Sequence, residues 1–241
     1  MPCWAELVTS DPSAVAEFYR DLLGWRYDPA DQVFRLRGAA VAGLVPSRGQ
    51  PAGWVTYIAC DDLAELTGLV ADSGGEVLRP PEDLPGRGRY ALLADASGAV
   101  FGAWQSGRFG GSQLGSEPGT VCFSELATPD VAAGTTFYGK VFGWTAQIGE
   151  LAPGHPYHDW LIGDRVLGGM YELPAGVSAH WRTTVEVADL ERVLRRCRDR
   201  YGQVEVDPIE VTVGRYARIR DPYGAGLGVI ELIPELRALT S

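Results

Sequence analysis

The chain has 241 residues, of which 46% are hydrophobic and 22% charged, so it holds enough apolar material for two cores of ordinary size. A formal net charge of −10 with a single lysine, Lys140, argues against binding to the phosphates of nucleic acid. No run of 18 apolar residues predicts a membrane span, and the N-terminus opens on a strand-like segment instead of a signal peptide, so we expect a cytoplasmic protein.

The sequence contains an internal repeat. Residues 122–144 match residues 3–25, and Glu125 stands 119 positions after its counterpart Glu6. Two copies of about 115 residues each favour tandem globular domains over a solenoid.

The repeat predicts a first domain at 1–110, a Gly- and Ser-rich linker at 111–119 and a second domain at 120–241. Each half is expected to have its own hydrophobic core. The second half has about seven extra residues between positions 148 and 157, and we interpret them as a lengthened loop.

Local signals predict the elements of the first half in order. Residues 4–9 alternate and indicate a strand, and Asp11, which precedes a proline, resembles a helix N-cap. Apolar residues at helical spacing continue to Gly24, which is typical of a left-handed cap. A hairpin follows, with strands predicted at 33–37 and 40–45.

The same scheme then recurs along the chain. The rest of the first half predicts a strand, a helix and three strands, at 54–60, 62–73, 76–79, 89–94 and 99–105. The second half repeats the pattern at 123–127, 130–142, 160–171, 181–187, 189–201 and 204–231. Each half therefore holds two βαβββ units, and the fold class is α+β.

Two motifs recur in both halves: an aromatic pair and a Gly-Trp pair at the end of the first helix, and an Asp-x-x-Gly turn before the last strand. They are Phe18-Tyr19 with Gly24-Trp25, Asp95 to Gly98, Phe137-Tyr138 with Gly143-Trp144, and Asp221 to Gly224. With these motifs the chain resembles a tandem two-domain member of the vicinal oxygen chelate superfamily, the group of glyoxalase I, extradiol dioxygenases and the bleomycin and fosfomycin resistance proteins. Within that group it is most similar to duplicated actinobacterial glyoxalase-like proteins. The resemblance implies a curved sheet in each domain, wrapped around a cavity.

The resemblance also implies where a metal would be held. The four ligand positions of the family's metalloenzymes fall on residues without a suitable side chain in either half: Trp4, Gly43, Val55 and Gly102, then Phe123, Gly169, Arg182 and Gly228. Divalent metal sites need converging His, Glu, Asp or Cys ligands. We therefore expect neither a metal nor another cofactor. The four glycines are expected to make room for a flat ligand.

Strand alternation predicts which residues line the two cavities. The first cavity is expected to be aromatic with one carboxylate, lined by Trp4, Glu6, Tyr57 and Trp104. The second is expected to be more polar, lined by Phe123, Glu125, His180, Arg182, Thr184 and Ile230, with His155 and His158 on the lengthened loop.

The polar set of the second half favours chemistry there. Glu125 in an apolar pocket could act as a general acid or base, Arg182 could hold an oxyanion, and His158 could move a proton. Two alternatives stay open. Glu6 and Glu125 could be structural, paired with Arg89 and Arg215, and the two loop histidines could belong to an ordinary polar loop or a weak metal site.

These observations favour a metal-independent protein that binds a small organic molecule, aromatic or polyketide-like. It would act as a sequestering binder or as an acid/base catalyst of isomerisation, cyclisation or elimination. The alternatives are a metal-dependent glyoxalase, lyase or dioxygenase with a non-standard site, and a non-catalytic interaction module. The partner is expected to be a small molecule, with no nucleic acid or membrane, and the protein is expected to be a monomer or homodimer.

Overall fold

The computed structural model describes residues 1–115, 117–152, 155–174, 176–234 and 236. Within these ranges the chain forms sixteen strands and four helices, arranged as two eight-stranded sheets, one from each half of the sequence. None of the helices in the described ranges is long and apolar enough to cross a membrane.

The first sheet and its two helices come from the first half. The strands are β1 Pro2–Thr9, β2 Arg26–Asp28, β3 Val33–Leu36, β4 Ala39–Pro46, β5 Gly53–Cys60, β6 Glu76–Leu84, β7 Gly88–Ala94 and β8 Val100–Ser106, and the helices are α1 Pro12–Leu23 and α2 Leu63–Asp72. The strand order is β2-β3-β4-β1-β5-β8-β7-β6. β1 pairs with β4 and β5 with β8 in parallel, and the other pairs described are antiparallel.

The second sheet repeats this plan. Its strands are β9 Val121–Thr128, β10 Thr145–Ala152, β11 His155–Ile162, β12 Arg165–Glu172, β13 His180–Glu186, β14 Gln203–Val211, β15 Gly214–Arg220 and β16 Gly226–Leu232, with helices α3 Val131–Phe142 and α4 Leu190–Asp199. The order β10-β11-β12-β9-β13-β16-β15-β14 matches the first sheet strand for strand. The predicted α+β fold with two βαβββ units in each half is confirmed.

The helix boundaries follow from the capping residues that the sequence supplies. Asp11 accepts a hydrogen bond from the backbone N–H of Ala14 at 3.0 Å, and Pro12 occupies the first turn of α1. Gly24 ends the helix at φ +76°, a left-handed conformation that glycine adopts without a steric penalty. Asp130 and Gly143 cap α3 in the same way. These predictions are confirmed.

Two local predictions need correction. The short strand β2 was not predicted. The seven extra residues of the second half do not form a loop, because residues 145–152 and 155–162 are the antiparallel strands β10 and β11, with Gly149 opposite Tyr157. In its described residues the insertion lengthens the two strands of a hairpin, which pair by cross-strand hydrogen bonds, and residues 153 and 154 lie outside the described ranges.

By their contacts the residues divide into two compact units that do not coincide with the two halves. The first unit comprises Met1–Cys3, Val55–Gly111 and Phe123–Arg182, and the second comprises Trp4–Trp54, Ser112–Cys122 and Thr183–Ser241. Each sheet is formed by the strands of one predicted half, whereas each compact unit contains residues of both halves. Domain boundaries at residues 110 and 120 stay a prediction.

The expectation of a separate core for each half is wrong. The core of the first unit combines Ile58 and Phe101 with Tyr138 and Trp160, and that of the second combines Tyr19 and Trp25 with buried residues of the second half such as Leu194 and Val229. A helix of one half therefore buries its apolar stripe with strands and helices of the other half. Burying a large side chain of this kind contributes roughly 1.5–3 kcal/mol, so neither half retains a complete core alone.

Candidate ligand-binding site

Glu125 and Tyr157 form the best-defined polar pair of the first unit. The Tyr157 hydroxyl donates a hydrogen bond of 2.8 Å to Glu125 Oε1, and Glu125 itself is only 8% exposed. The pKa of Tyr157 is raised well above its ordinary value of 10, because burial disfavours the phenolate and the carboxyl group of Glu125 lies beside it. Tyr157 therefore stays a protonated hydrogen-bond donor near neutral pH.

Gly169 leaves the space on the sheet that the side chain of Tyr157 occupies. It lies opposite Glu125 in the parallel pairing of β12 with β9. A Cβ atom at position 169 would overlap the hydroxyl and ring of Tyr157. The absence of a side chain at Gly169 is thus what allows the tyrosine to lie flat over β12 and reach Glu125.

Neighbouring side chains occupy the space above the other three glycines at family ligand positions in a similar way. A Cβ atom at Gly102 would overlap the ring of Tyr57, and one at Gly228 would overlap the hydroxyl of Thr184. At Gly43 it would lie 2.9 Å from Cγ of Glu6. The expectation that these glycines leave room for a flat ligand is corrected: side chains of the chain itself occupy that space.

Arg182 lies on the same side of the sheet as Tyr157. Its guanidinium carbon is 5.2 Å from the ring centre of Tyr171, and Tyr171 follows Gly169 by two positions on β12, so their side chains share a face. Nη2 of Arg182 is 3.3 Å from Nε2 of His180, whose Nδ1 is 3.0 Å from the Ser178 carbonyl oxygen. We call this side, with Glu125, Tyr157, Tyr171 and Arg182, the Tyr157 face.

The two histidines of β11, His155 and His158, lie on opposite faces of the strand. His155 and Tyr157 are two residues apart and lie on the same face, whereas His158 lies opposite Met170, which is fully buried in the hydrophobic core. Strand alternation thus turns His158 away from Glu125. The structure does not bring together the predicted catalytic residues Glu125, Arg182 and His158. Tyr157 instead is the hydrogen-bond donor beside Glu125.

Asp159 adds a second carboxyl group to the Tyr157 face. It lies opposite Gly169 in the pairing of β11 with β12. Burial raises its pKa, against a smaller opposing effect of His158. Sequence reasoning missed Tyr157, Tyr171 and Asp159 as site residues. Tyr157 was missed because residues 148–157 were interpreted as a loop, and the other two because residues 160–171 were not divided into the two strands β11 and β12.

The remaining predicted residues are divided between the two units. Phe123 is half-buried in the first unit, together with the buried side chains of Tyr57 and Trp104. Trp4, Glu6, Thr184 and Ile230 belong to the second unit, and all but the half-buried Glu6 are buried there.

A polar network beside Tyr57 was not predicted. The ring of Tyr90 is 6.4 Å from that of Tyr57, and its hydroxyl donates to Glu82 at 2.8 Å and accepts from Arg79 at 2.9 Å. The alternation of β7 would have placed Tyr90 beside Trp104, its neighbour on β8. The first sheet is thus more polar here than expected.

The suggested partners of the two repeated glutamates are wrong. Arg89 pairs with Asp83 at 2.8 Å, and Arg215 pairs with Glu191 at 3.0 Å and with Glu210 at 3.2 Å. These ion pairs lie at exposed positions, so they contribute little stability. Glu125 is instead held by Tyr157.

The residues at the family's ligand positions do not fit a divalent cation. Four are glycines covered by neighbouring side chains, and Arg182 brings a positive charge. Across the described ranges, no group of three or more His, Cys, Asp or Glu side chains is arranged to hold a metal ion. The Tyr157 face thus offers two carboxyl groups, two phenols and an arginine, which suits hydrogen bonding and proton transfer.

Known proteins resemble this chain closely in sequence. No family model matches it. CFP32 of Mycobacterium tuberculosis, which is named a glyoxylase, is 36% identical over 251 residues, covering 97% of this chain and 95% of CFP32. The anthracycline biosynthesis protein DnrV of Streptomyces peucetius is 34% identical over 257 residues, covering 96% of this chain and 93% of DnrV.

Solved structures share the fold at lower identity. The Mn(II)-bound glyoxalase of Novosphingobium aromaticivorans has a TM-score of 0.66 at 16% identity, covering 95% of this chain and 81% of that one. The 2,3-dioxygenase LapB of Pseudomonas sp. KL28 has a TM-score of 0.63 at 16% identity, covering 97% and 94%.

The chain therefore belongs to the vicinal oxygen chelate superfamily. Within it, the chain is similar to CFP32 and DnrV over nearly their whole length. The resemblance read from the repeated motifs is confirmed.

Proposed function

We propose that the protein binds a small organic molecule, aromatic or polyketide-like, on the Tyr157 face, and acts on it by acid/base chemistry without a metal ion. The observation that carries this proposal is the 2.8 Å hydrogen bond from Tyr157 to the buried Glu125. A carboxyl group held by a phenol in a buried setting is suited to proton transfer.

Each polar group has a distinct role in the proposal. The carboxylate of Glu125 removes a proton from a carbon or hydroxyl group of the substrate, and the guanidinium of Arg182 stabilises the negative charge that develops on a neighbouring oxygen. Tyr157 orients Glu125 through its hydrogen bond. Returning the proton to a different atom gives an isomerisation, and loss of a leaving group with the electron pair gives an elimination. Attack of the carbanion on a carbonyl carbon of the same molecule, with the proton returned to the carbonyl oxygen, gives a cyclisation. None of these steps needs an oxidant.

The aromatic side chains and the relatives support the substrate class. Tyr157, Tyr171 and Phe123 offer ring surface on or near this face, and rings stack well on flat ligands. DnrV is named for anthracycline biosynthesis, which supports a natural-product substrate. CFP32 is named a glyoxylase, so aldehydes belong in the ligand screen.

The test is a thermal-shift screen of aromatic natural products and aldehydes, followed by titration of the best compound and chromatography to detect product. Glu125→Gln and Arg182→Ala should weaken binding or slow turnover about tenfold or more, which corresponds to 1–3 kcal/mol for a charged hydrogen bond. Trp4→Ala, in the second unit, is the comparison variant and should have a smaller effect on binding, measured for the folded fraction because Trp4 is buried. If variants of Trp4, Glu6 or Tyr57 abolish binding while those of Glu125 and Arg182 do not, the proposed site is wrong.

A further inference from the structure

A groove of about 450 Å³ lies in the first unit, between the turn that joins β6 to β7 and the segment that follows β8. Three arginines line it, Arg87, Arg89 and Arg108. Asp83 is the only acidic residue among the groove's lining residues, all of which lie in the described part of the chain, so the groove has two net positive charges. This concentration of charge is notable in a chain whose net charge is −10.

The backbone holds the two sides of the groove together. Arg87 O accepts hydrogen bonds from the N–H groups of Gly107 at 3.0 Å and Phe109 at 3.1 Å. A Cβ atom at Gly107 would lie 2.8 Å from Arg87 O, and one at Gly88 would lie 2.9 Å from Cζ2 of Trp104. The segments Gly86-Arg87-Gly88-Arg89 and Gly107-Arg108 therefore come together because glycines permit the close approach.

The three arginines of the groove differ in the contacts that hold them. The guanidinium carbon of Arg87 lies 4.4 Å from the ring centre of Phe109, so the ring holds this arginine beside the groove. Arg89 is paired with the exposed Asp83 at 2.8 Å. Arg108 is exposed and has no ion pair with any residue that the structure describes.

The second half of the chain provides an internal comparison. At the repeat spacing of 126, Arg87 and Arg108 correspond to Val213 and Pro234. Only Arg89 has an arginine counterpart, Arg215, and that residue is paired with two glutamates. The charge of the groove thus belongs to the first half alone and is not a general feature of the fold.

We propose that this groove binds the phosphate group of a small phosphorylated molecule. The planar fork of arginine matches phosphate oxygens, and the net positive charge of the groove balances a phosphate dianion. The volume lies within the range of small-molecule sites. The groove is formed by β6, β7 and β8, whereas the Tyr157 face is formed by β9, β11, β12 and β13, so this site is separate from the proposed substrate site.

The test is isothermal titration of inorganic phosphate at constant ionic strength into the full chain. Saturable binding of one phosphate per chain is expected, and the Arg87→Gln/Arg108→Gln double variant should bind at least about tenfold more weakly. Arg108→Gln alone, at an exposed position, should weaken binding severalfold without affecting the fold. Arg48→Gln, another exposed arginine outside the groove, is the matched control and should bind like the wild type.

Acetate is the second probe. It should bind much more weakly than phosphate, because a monoanion balances only half of the charge. Phosphate binding that does not saturate, or that is equal in the wild type and the double variant, would overturn the proposal, and so would acetate binding as tight as that of phosphate. None of these three results affects the Glu125 and Arg182 test, which uses a different ligand and different residues.

Discussion

Tyr19 donates a hydrogen bond of 3.1 Å to Asp221, a residue 202 positions further along the chain. Its hydroxyl also accepts from Nε1 of Trp54 at 3.3 Å. The other unit has the same arrangement, with Tyr138 bonded to Asp95 at 3.0 Å and to Trp181 at 2.8 Å. The two repeated motifs are thus partners of each other, because each tyrosine–aspartate bond joins the motif of one half to that of the other.

Tyr19→Phe should therefore destabilise the protein. The substitution removes one hydroxyl and leaves Asp221 Oδ2 and Trp54 Nε1 without this bond in a buried place, at a cost of about 1–3 kcal/mol in the free energy of unfolding. Urea denaturation measures this. Tyr138→Phe should give a similar loss, whereas Tyr201→Phe, at a residue that is 89% exposed, should be neutral. Equal effects of all three substitutions would contradict the structural role of the pair.

Asp221 should give stability an unusual pH dependence. Burial raises its pKa above the ordinary value of 3.8, although hydrogen bonds from the backbone and from Tyr19 act in the opposite direction. The folded protein then binds this proton more tightly than the unfolded chain does. The contribution of Asp221 to the free energy of unfolding is therefore greatest at low pH and decreases as pH rises from 3.8 through the raised folded value.

Comparing Asp221→Asn with the wild type isolates this contribution. The stability of the wild type relative to the variant should decrease as pH rises above 3.8, the ordinary pKa of the carboxyl group. Asp28 is a control of opposite sign, because its hydrogen bond to Arg35 lowers its pKa. Its contribution is lost as pH falls through the lowered folded value, so Asp28→Asn should give the reverse slope. If the two variants gave pH dependences of stability with the same sign, the assigned directions of the pKa shifts of Asp221 and Asp28 would be contradicted.

Local signals account for what the sequence predicted well. The caps at Asp11 and Gly24 are determined by neighbouring residues, so the helices were found with nearly correct ends. The bond from Tyr19 to Asp221 could not be predicted, because residues that stabilise each other across 202 positions leave no periodic trace. The separate cores expected for the two halves failed for this reason.

The candidate site was predicted in part, for similar reasons. Alternation correctly indicated that Glu125 is buried. The hairpin of β10 and β11 was missed, although apolar residues such as Ile148 and Trp160 flank a Pro-Gly pair, which is itself a turn signal. Tyr157 was missed with it. The sequence predicted free space at Gly169, but no local rule indicates which side chain from another strand occupies such a space.

Purified protein is predicted to hold no stoichiometric Zn, Ni, Mn or Fe. The reason is the donor set: the family's ligand positions carry glycine, aromatic, aliphatic and arginine side chains, none of which binds these cations well. Elemental analysis checks the content, and chelator should leave the melting temperature unchanged. About one equivalent of metal per chain, lost with activity on chelation, would instead support the metal-dependent alternative.

Gly169→Ala should destabilise the protein and displace Tyr157. The added methyl group would overlap the tyrosine ring and hydroxyl, and overpacking of this kind costs about 1–3 kcal/mol. Gly68→Ala is the matched control, because Gly68 lies inside α2 with no neighbouring atom within 4 Å of a new Cβ. That substitution should stabilise by about 0.4–1 kcal/mol through helix propensity and a restricted unfolded chain. In a Tyr157→Ala background the Gly169→Ala cost should largely disappear, since the overlap is removed. A cost that persists there would mean that Gly169 is needed for its backbone conformation and not for its contact with Tyr157.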